Sequence, residues 1–327
     1  ILFLLLSLLV VALLAIDMMV GSVGISAGEV WAAITGGECD PIKAKIIIDV
    51  RLMKAIVAIL AGAALAVSGL QMQTLFRNPL AGPYVLGVSS GASLGVALFI
   101  LGAPLLGVAS SSLLSSLGVA GAAWIGSALV LALVGAVSQR IKDIMVILIL
   151  GMMIGSAVSA VVQILQYMSH EEALKSFVVW TMGSLGDVTS SQLWLVAPAI
   201  IAGLVLSVAV IKPMNLMLLG EAYARTMGMS VKRTRTLILL STTLLAGSVT
   251  AFCGPIAFIG VAVPHIARGV FATSNHRITV PASALIGANI LLVCDILCNL
   301  GTYSLPISTM SALFGAPIIL WIVLKKK

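Results

Sequence analysis

Few residues of this 327-residue chain could do chemistry, and they are scattered. Glu221 and Arg225 stand four apart, the spacing that pairs opposite charges on one helix face, within a polar stretch from Asn215 to Arg235 that also carries Lys232 and Arg233. Asp295 lies inside an apolar run, where a carboxyl is by default a functional site such as a proton relay or an ion ligand. Asn299, four residues on, offers it a hydrogen bond, and a structural polar contact is the favoured reading. Cys294 and Cys298 share a helix face, but with no CxxC and no nearby His they read as buried neutral thiols rather than metal ligands. Gly87-Val88-Ser89-Ser90-Gly91 has the form GxSxG, yet it falls in an apolar helix and not at the strand-to-helix turn of a nucleophile elbow. There is no phosphate loop and no HExxH. The chain is therefore not expected to be an enzyme.

The elements that hold these residues are set by composition. Hydrophobic residues make up 61% and charged residues 9%, with a mean hydropathy of +1.21. Such a chain cannot fold as an ordinary soluble domain. Its apolar runs are continuous rather than alternating, so they are helices and not barrel strands. Runs long enough to cross a bilayer fall near 1–20, 55–75, 80–101, 117–138, 144–167, 193–211, 236–253, 254–271, 278–300 and 305–324. The expectation is an all-α polytopic membrane protein of about ten spans. It forms a single transmembrane domain over 1–327, with 215–235 outside the bilayer. The first segment lacks a basic leader and reads as a transmembrane helix rather than a signal sequence.

Charge sidedness orients these spans. With the N-terminus cytoplasmic, 13 of the 18 basic residues fall inside, and only Lys43, Lys45, Arg51, Lys54 and Lys175 fall outside. Eight of the 11 acids fall outside, which supports the same orientation, with both termini cytoplasmic. The net charge of +7 is then an orientation signal and not a nucleic-acid footprint.

Along the chain, Ser26-Ala27-Gly28-Glu29 has the form of a capping box opening an interfacial helix around Trp31. Arg51 and Lys54 enter the second span, where they either snorkel outward to fix the helix end or meet acidic residues of an external partner. Small residues recur at helical spacing in Ala58, Gly62 and Ala66, in Gly87, Gly91 and Gly95, and in Gly151, Gly155 and Ser159, which predicts close helix packing. Gly82-Pro83 and Gly254-Pro255 break two spans five apart, the expected mark of an inverted five-helix repeat with its breaks on opposite membrane sides. In the fifth span Ser156, Ser159, Gln163, Gln166 and Tyr167 form a neutral polar stripe. It either lines a translocation path or hydrogen-bonds between helices.

Several stretches together resemble the FecCD-type permeases, the membrane subunits of bacterial type II ABC importers for iron-siderophores, haem and vitamin B12. They are Gln73-Thr74-Leu75-Phe76-Arg77-Asn78-Pro79-Leu80-Ala81, Leu86-Gly87-Val88-Ser89-Ser90-Gly91-Ala92, Trp180-Thr181-Met182-Gly183-Ser184-Leu185, Gly254-Pro255-Ile256-Ala257-Phe258-Ile259-Gly260 with Pro264-His265-Ile266-Ala267-Arg268, and Gly315-Ala316-Pro317. The resemblance implies a ten-helix subunit in the inner membrane. It would form a homodimer whose interface holds the path, served by two cytoplasmic ATPase subunits and a periplasmic binding protein. Cofactors are expected in the partners only, as ATP and Mg in the ATPases.

Leu219-Gly220-Glu221-Ala222-Tyr223-Ala224-Arg225-Thr226-Met227-Gly228 is similar to the family's coupling segment, so Gly220, Glu221, Ala222, Arg225 and Gly228 are expected at the ATPase contact. Arg51 and Lys54 match the basic pair that receives the binding protein, although Met53 replaces a proline and Lys54 an arginine, which removes the bidentate fork. Asn299, Ser304 and Ser308 also depart from the family's pattern. The transported chelate is left open among ferric siderophores, haem and cobalamin. The competing class is an ion- or proton-coupled carrier using Asp295.

Overall fold

The computed structural model describes residues 1–102, 116–138, 141, 143–301 and 304–325. In chain order the helices are α1 (Leu2–Met19), α2 (Ala27–Thr35), α3 (Pro41–Lys45), α4 (Met53–Phe76), α5 (Val88–Ala97), α6 (Ser116–Ser138), α7 (Ile144–Met168) and α8 (Glu171–Met182). They continue as α9 (Ser190–Ala209), α10 (Ile211–Leu218), α11 (Glu221–Thr226), α12 (Val231–Thr242), α13 (Ser248–Cys253), α14 (Ile259–Phe271), α15 (His276–Cys298) and α16 (Ile307–Lys325). Wide π-turns at Ile46–Leu52 and Thr243–Gly247 join α3 to α4 and α12 to α13 without breaking either run. Among the described residues there are helices and no strands, as continuous apolar runs require.

The second run is longer than expected. It extends from Pro41 to Phe76, 36 residues, or about 54 Å at 1.5 Å per residue. Lys43, Lys45, Arg51 and Lys54 therefore sit on a helix and not in an outer loop.

Seven helices among the described residues are long and apolar enough to cross a bilayer, and Val88–Gly102, Ile259–Phe271 and Ile307–Leu320 are shorter apolar helices. All ten apolar runs are thus helical, but among the described residues the third and eighth have helical parts shorter than a full crossing. The reason in the third and eighth is the proline breaks. Pro83–Leu86 forms a separate 3-10 turn, and residues 254–258 are non-helical between α13 and α14. Irregular backbone at membrane depth is tolerated when protein surrounds it. Here each break is covered by the other, since a Cβ on Gly260 would stand 2.6 Å from Pro83 Cδ and one on Gly82 2.9 Å from Val261. The two breaks meet and do not lie on opposite sides.

The centre of the bundle is α4, buried along almost its whole length from Ala55 to Phe76. It is apolar on every side because helices surround it. Its small residues let those helices close in: a methyl on Gly62 would overlap the Gly287 carbonyl of α15, and one on Gly69 the Gly260 carbonyl. Gly91 and Gly126 bring α5 and α6 together in the same way, as the small-residue spacing predicts. Buried polar groups on α4 are satisfied across helices. Gln71 Nε2 donates to Ser241 Oγ at 2.9 Å, and Thr242 Oγ1 donates to Gln71 Oε1 at 3.1 Å.

Candidate functional site

The neutral stripe of α7 divides at its outer end. Ser156, Ser159 and Gln163 line a cavity of about 660 Å³, closed on its other side by Tyr84, Gly87 and Ser90. Gly155 leaves room for it, lying against Ser90 and Gly87. Gln166 and Tyr167 are outside its lining; Gln166 is half-buried and Tyr167 is 93% exposed. Interhelical bonding accounts for little of the stripe. Ser159 reaches Ser90 only at 3.5 Å, and Ser156 donates to Met152 of its own helix at 3.0 Å.

One residue that the sequence did not single out organises this region. Tyr84 Oη accepts from the Ile256 amide at 3.3 Å and from Thr250 Oγ1 at 3.4 Å, which ties the first proline break to the second and forms one end of the cavity.

On the side that charge counting assigns to the cytoplasm, 215–235 folds as two short helices and the start of α12. Gly220 adopts φ 108°, a conformation that side chains resist, and a Cβ there would stand 3.3 Å from the Arg77 guanidinium. Glu221 then opens α11. Its Oε1 accepts from Arg235 Nη2 at 2.6 Å and Nε at 3.2 Å, while Arg225 stands 3.7 Å from Oε2. The expected Glu221–Arg225 pair exists, but the two-pronged contact from α12 is the closer one.

Gly228 ends the helix as its type and position imply. At φ 81° it donates to Arg225 O at 3.0 Å, and Met229 donates to Ala224 O at 3.0 Å, the paired bonds of a Schellman stop. Ala222 is exposed, as are Leu218, Leu219, Tyr223 and Met227. Reading the charges alone missed this apolar surface.

The segment is tied to the core through a histidine that also escaped notice. His276 is buried: its amide donates to Asn215 Oδ1 at 2.8 Å, its Nδ1 lies 2.8 Å from the same oxygen, and its Nε2 lies 2.8 Å from Thr74 Oγ1 of α4. Arg268 bonds Gln73 beside it, and these side chains, with His265, border a cavity of about 260 Å³. The only sequence signal was that polar residues stood near the inner ends of three apolar runs.

At the end that charge counting assigns to the outside, Arg51 and Lys54 do not snorkel. Arg51 is 8% exposed, and its guanidinium donates to the carbonyls of Met18 at 2.9 Å and of Val23. Lys54 Nζ lies 2.9 Å from Asp295 Oδ1. Asp17 is buried as well. The partner of Asp295 is thus Lys54; Asn299 donates instead to the Asp295 backbone oxygen at 2.6 Å and accepts from Ser304 at 3.4 Å. Ser308 contributes its carbonyl to Ser311. A carboxyl held by an ammonium is a poor coupling group, so the ion-coupled reading of Asp295 is not favoured.

A bundle of apolar helices wrapped around α4, with mated proline breaks and a charged segment at one end, is the architecture of a permease. The FecCD transport family matches residues 8–325, and the chain belongs to that family. It is 33% identical to the hemin transport system permease protein HmuU of Yersinia pestis over 99% of this chain and 95% of that protein. It is 35% identical to the vitamin B12 import system permease protein BtuC of Klebsiella pneumoniae over 93% and 90%. It is also 32% identical to the molybdate import system permease protein MolB of Haemophilus influenzae over 98% and 95%. Among solved structures, it resembles the inward-facing conformation of a transporter assigned to the metal-chelate ABC type, with TM-score 0.86, 30% identity and 99% coverage of both chains. The protein is a multi-pass permease of the ABC importer class and a transport subunit, not an enzyme.

Proposed function

We propose that this chain moves a preformed metal chelate (a ferric siderophore, haem or cobalamin) inward across the bacterial inner membrane. The observation that carries this reading is the cavity of about 660 Å³ on the neutral face of α7. Its hydroxyl and amide groups solvate a large solute, and its lining among the described residues carries no basic side chain of the kind that holds a bare oxyanion. The cavity is bordered by α7, the Pro83–Leu86 turn and the start of α5, and a second copy would cover its open side, so the working unit is a homodimer with the path between subunits.

Energy enters through 215–235. Its exposed Leu218, Leu219, Tyr223 and Met227 suit docking onto two cytoplasmic ATPase subunits, which bind ATP and Mg, because an apolar cluster rimmed by charge is the usual anatomy of a protein contact. Gly220 and Gly228 set the shape of that surface, and Glu221, Ala222 and Arg225 lie on it. Both termini are cytoplasmic. A periplasmic binding protein delivers the chelate at the outer face, where Arg51 and Lys54 serve by holding the outer helix ends in register.

Uptake of labelled haem, ferric siderophore and cobalamin into vesicles carrying the assembled importer tests the reading. Ser159→Trp should abolish uptake of the true substrate while leaving assembly and melting temperature unchanged. Normal uptake in Ser159→Trp would remove α7 from the path, and uptake of free molybdate but of no chelate would overturn the substrate class.

A further inference from the structure

The inner half of the bundle has a groove that the transport reading does not use. It lies between α6 and α12 with a volume of about 400 Å³, walled by Ala128, Ala132 and Ala136 on one side and by Thr236, Leu240 and Thr243 on the other. The three alanines recur every four residues and are exposed, so the groove opens sideways along the outer surface of the bundle. Its two threonines do not make it polar. Thr236 Oγ1 donates to Lys232 O at 3.1 Å and Thr243 Oγ1 to Leu239 O at 2.7 Å, one turn back along the chain, so both hydroxyls are already satisfied by backbone. A groove of this kind at membrane depth fills with hydrocarbon, because an empty one forfeits dispersion contacts on every wall and water finds no partners in it.

The inner mouth is different in chemistry. Lys232 and Arg233 precede Thr236 by four and three residues, which places them one turn, about 5.4 Å, beyond the groove on the same helix face. Both are exposed, and neither enters an ion pair among the described residues. Long basic side chains at a helix end reach to the headgroup level, and basic pockets between helices on the cytoplasmic side select anionic headgroups.

We propose that this groove binds an anionic phospholipid of the cytoplasmic leaflet, with an acyl chain along the α6 alanines and the phosphate on Lys232 and Arg233. A second copy of the chain is a poorer occupant, since it would bring the same apolar groove and the same bases with no anion to answer them. The bound lipid would steady α12, the helix whose Arg235 holds Glu221.

Native mass spectrometry of the full-length chain, purified and re-equilibrated with equal phosphatidylglycerol and phosphatidylcholine, reads this directly and does not depend on transport. The wild type should retain phosphatidylglycerol with a preference on the order of thirtyfold, given about 1 kcal/mol for each of the two basic residues. Lys232→Gln with Arg233→Gln should bring the two lipids to parity, and Ala132→Trp should lower retention of both. Lys175→Gln, on the outer side, should change neither. Equal retention of the two lipids by the wild type, an unchanged preference in the double variant, or an equal loss in Lys175→Gln would overturn the proposal. So would efficient cross-linking between two Ala132→Cys chains, which would put a second copy in the groove.

Discussion

Two groups of charged side chains stand at opposite ends of the bundle, and their surroundings give them opposite work. At the outer end Asp17, Arg51, Lys54 and Asp295 face one another inside the protein, with Asp295 at 2% exposure. At the inner end Glu221, Arg225 and Arg235 are grouped just as closely, yet Arg225 is 58% exposed and the apolar residues beside it are uncovered. A buried charge is held by what it would lose if its partner left, whereas an exposed pair contributes little to stability and remains free to engage another surface. The outer group therefore fastens helices, and the inner group leaves Arg225 and its apolar neighbours exposed.

The largest test of this difference is Lys54→Met, which strands the Asp295 carboxylate. Removing one partner of a buried pair costs roughly 3–5 kcal/mol, and the melting temperature in detergent should fall sharply. Lys54→Met combined with Asp295→Leu should recover most of the loss; a double variant as unstable as the single one would mean that the pair is not what α4 and α15 share. A large methyl-bearing residue at the crossing nearby, Gly62→Leu, should be as damaging, because it meets the Gly287 backbone and nothing there can yield.

At the inner end Arg235 is 12% exposed against Glu221. Arg235→Ala should therefore cost roughly 1.5–3 kcal/mol, the worth of hydrogen bonds to a charged group, less than Lys54→Met, and should also separate ATP hydrolysis from uptake in the assembled importer. Equal losses of stability at the two ends would erase the contrast.

The smallest effect is expected at a third, exposed pair. Lys43 lies 2.6 Å from Glu29, and this contact, with the Ser26 amide, holds the Glu29 carboxyl well below its usual value of 4.5, at about 2. The group is depressed in the folded state, so its contribution is complete above pH 4.5 and fades as the pH falls toward 2. The hydrogen-exchange protection factors of α2, corrected for the intrinsic pH dependence of exchange, should fall across that window in the wild type, and Glu29→Gln should remove the pH step without altering the rest of the bundle.

Much of this was legible in residue order. The capping box at Ser26 and Glu29 is present, with the Glu29 amide donating to Ser26 Oγ at 3.3 Å and the Ser26 amide to Glu29 Oε2 at 2.8 Å. The stop at Gly228 and the break at Gly254 also stand where local chemistry put them. What misled was one-dimensional distance. Arg51 and Lys54 lie at a helix end in sequence and were assigned to solvent, but α1 and α15 cover them. Asn299 was given to Asp295 because it is four residues away, while the true partner comes from a helix far back in the chain. His276 and Tyr84 looked ordinary, since what makes them matter is a contact with Asn215 in one case and Ile256 in the other.

The sequence by itself determined that the chain is helical and membrane-bound, which helices pack closely, which end is rich in bases and where the backbone must bend. Each of these follows from periodicity, hydropathy or the steric habit of a single residue, and needs no distant neighbour. The tertiary structure alone decided which charges are satisfied internally and which are left exposed, and that the two proline breaks meet. Burial and pairing belong to contacts between segments, and such contacts have no representation in the order of residues along any one of them.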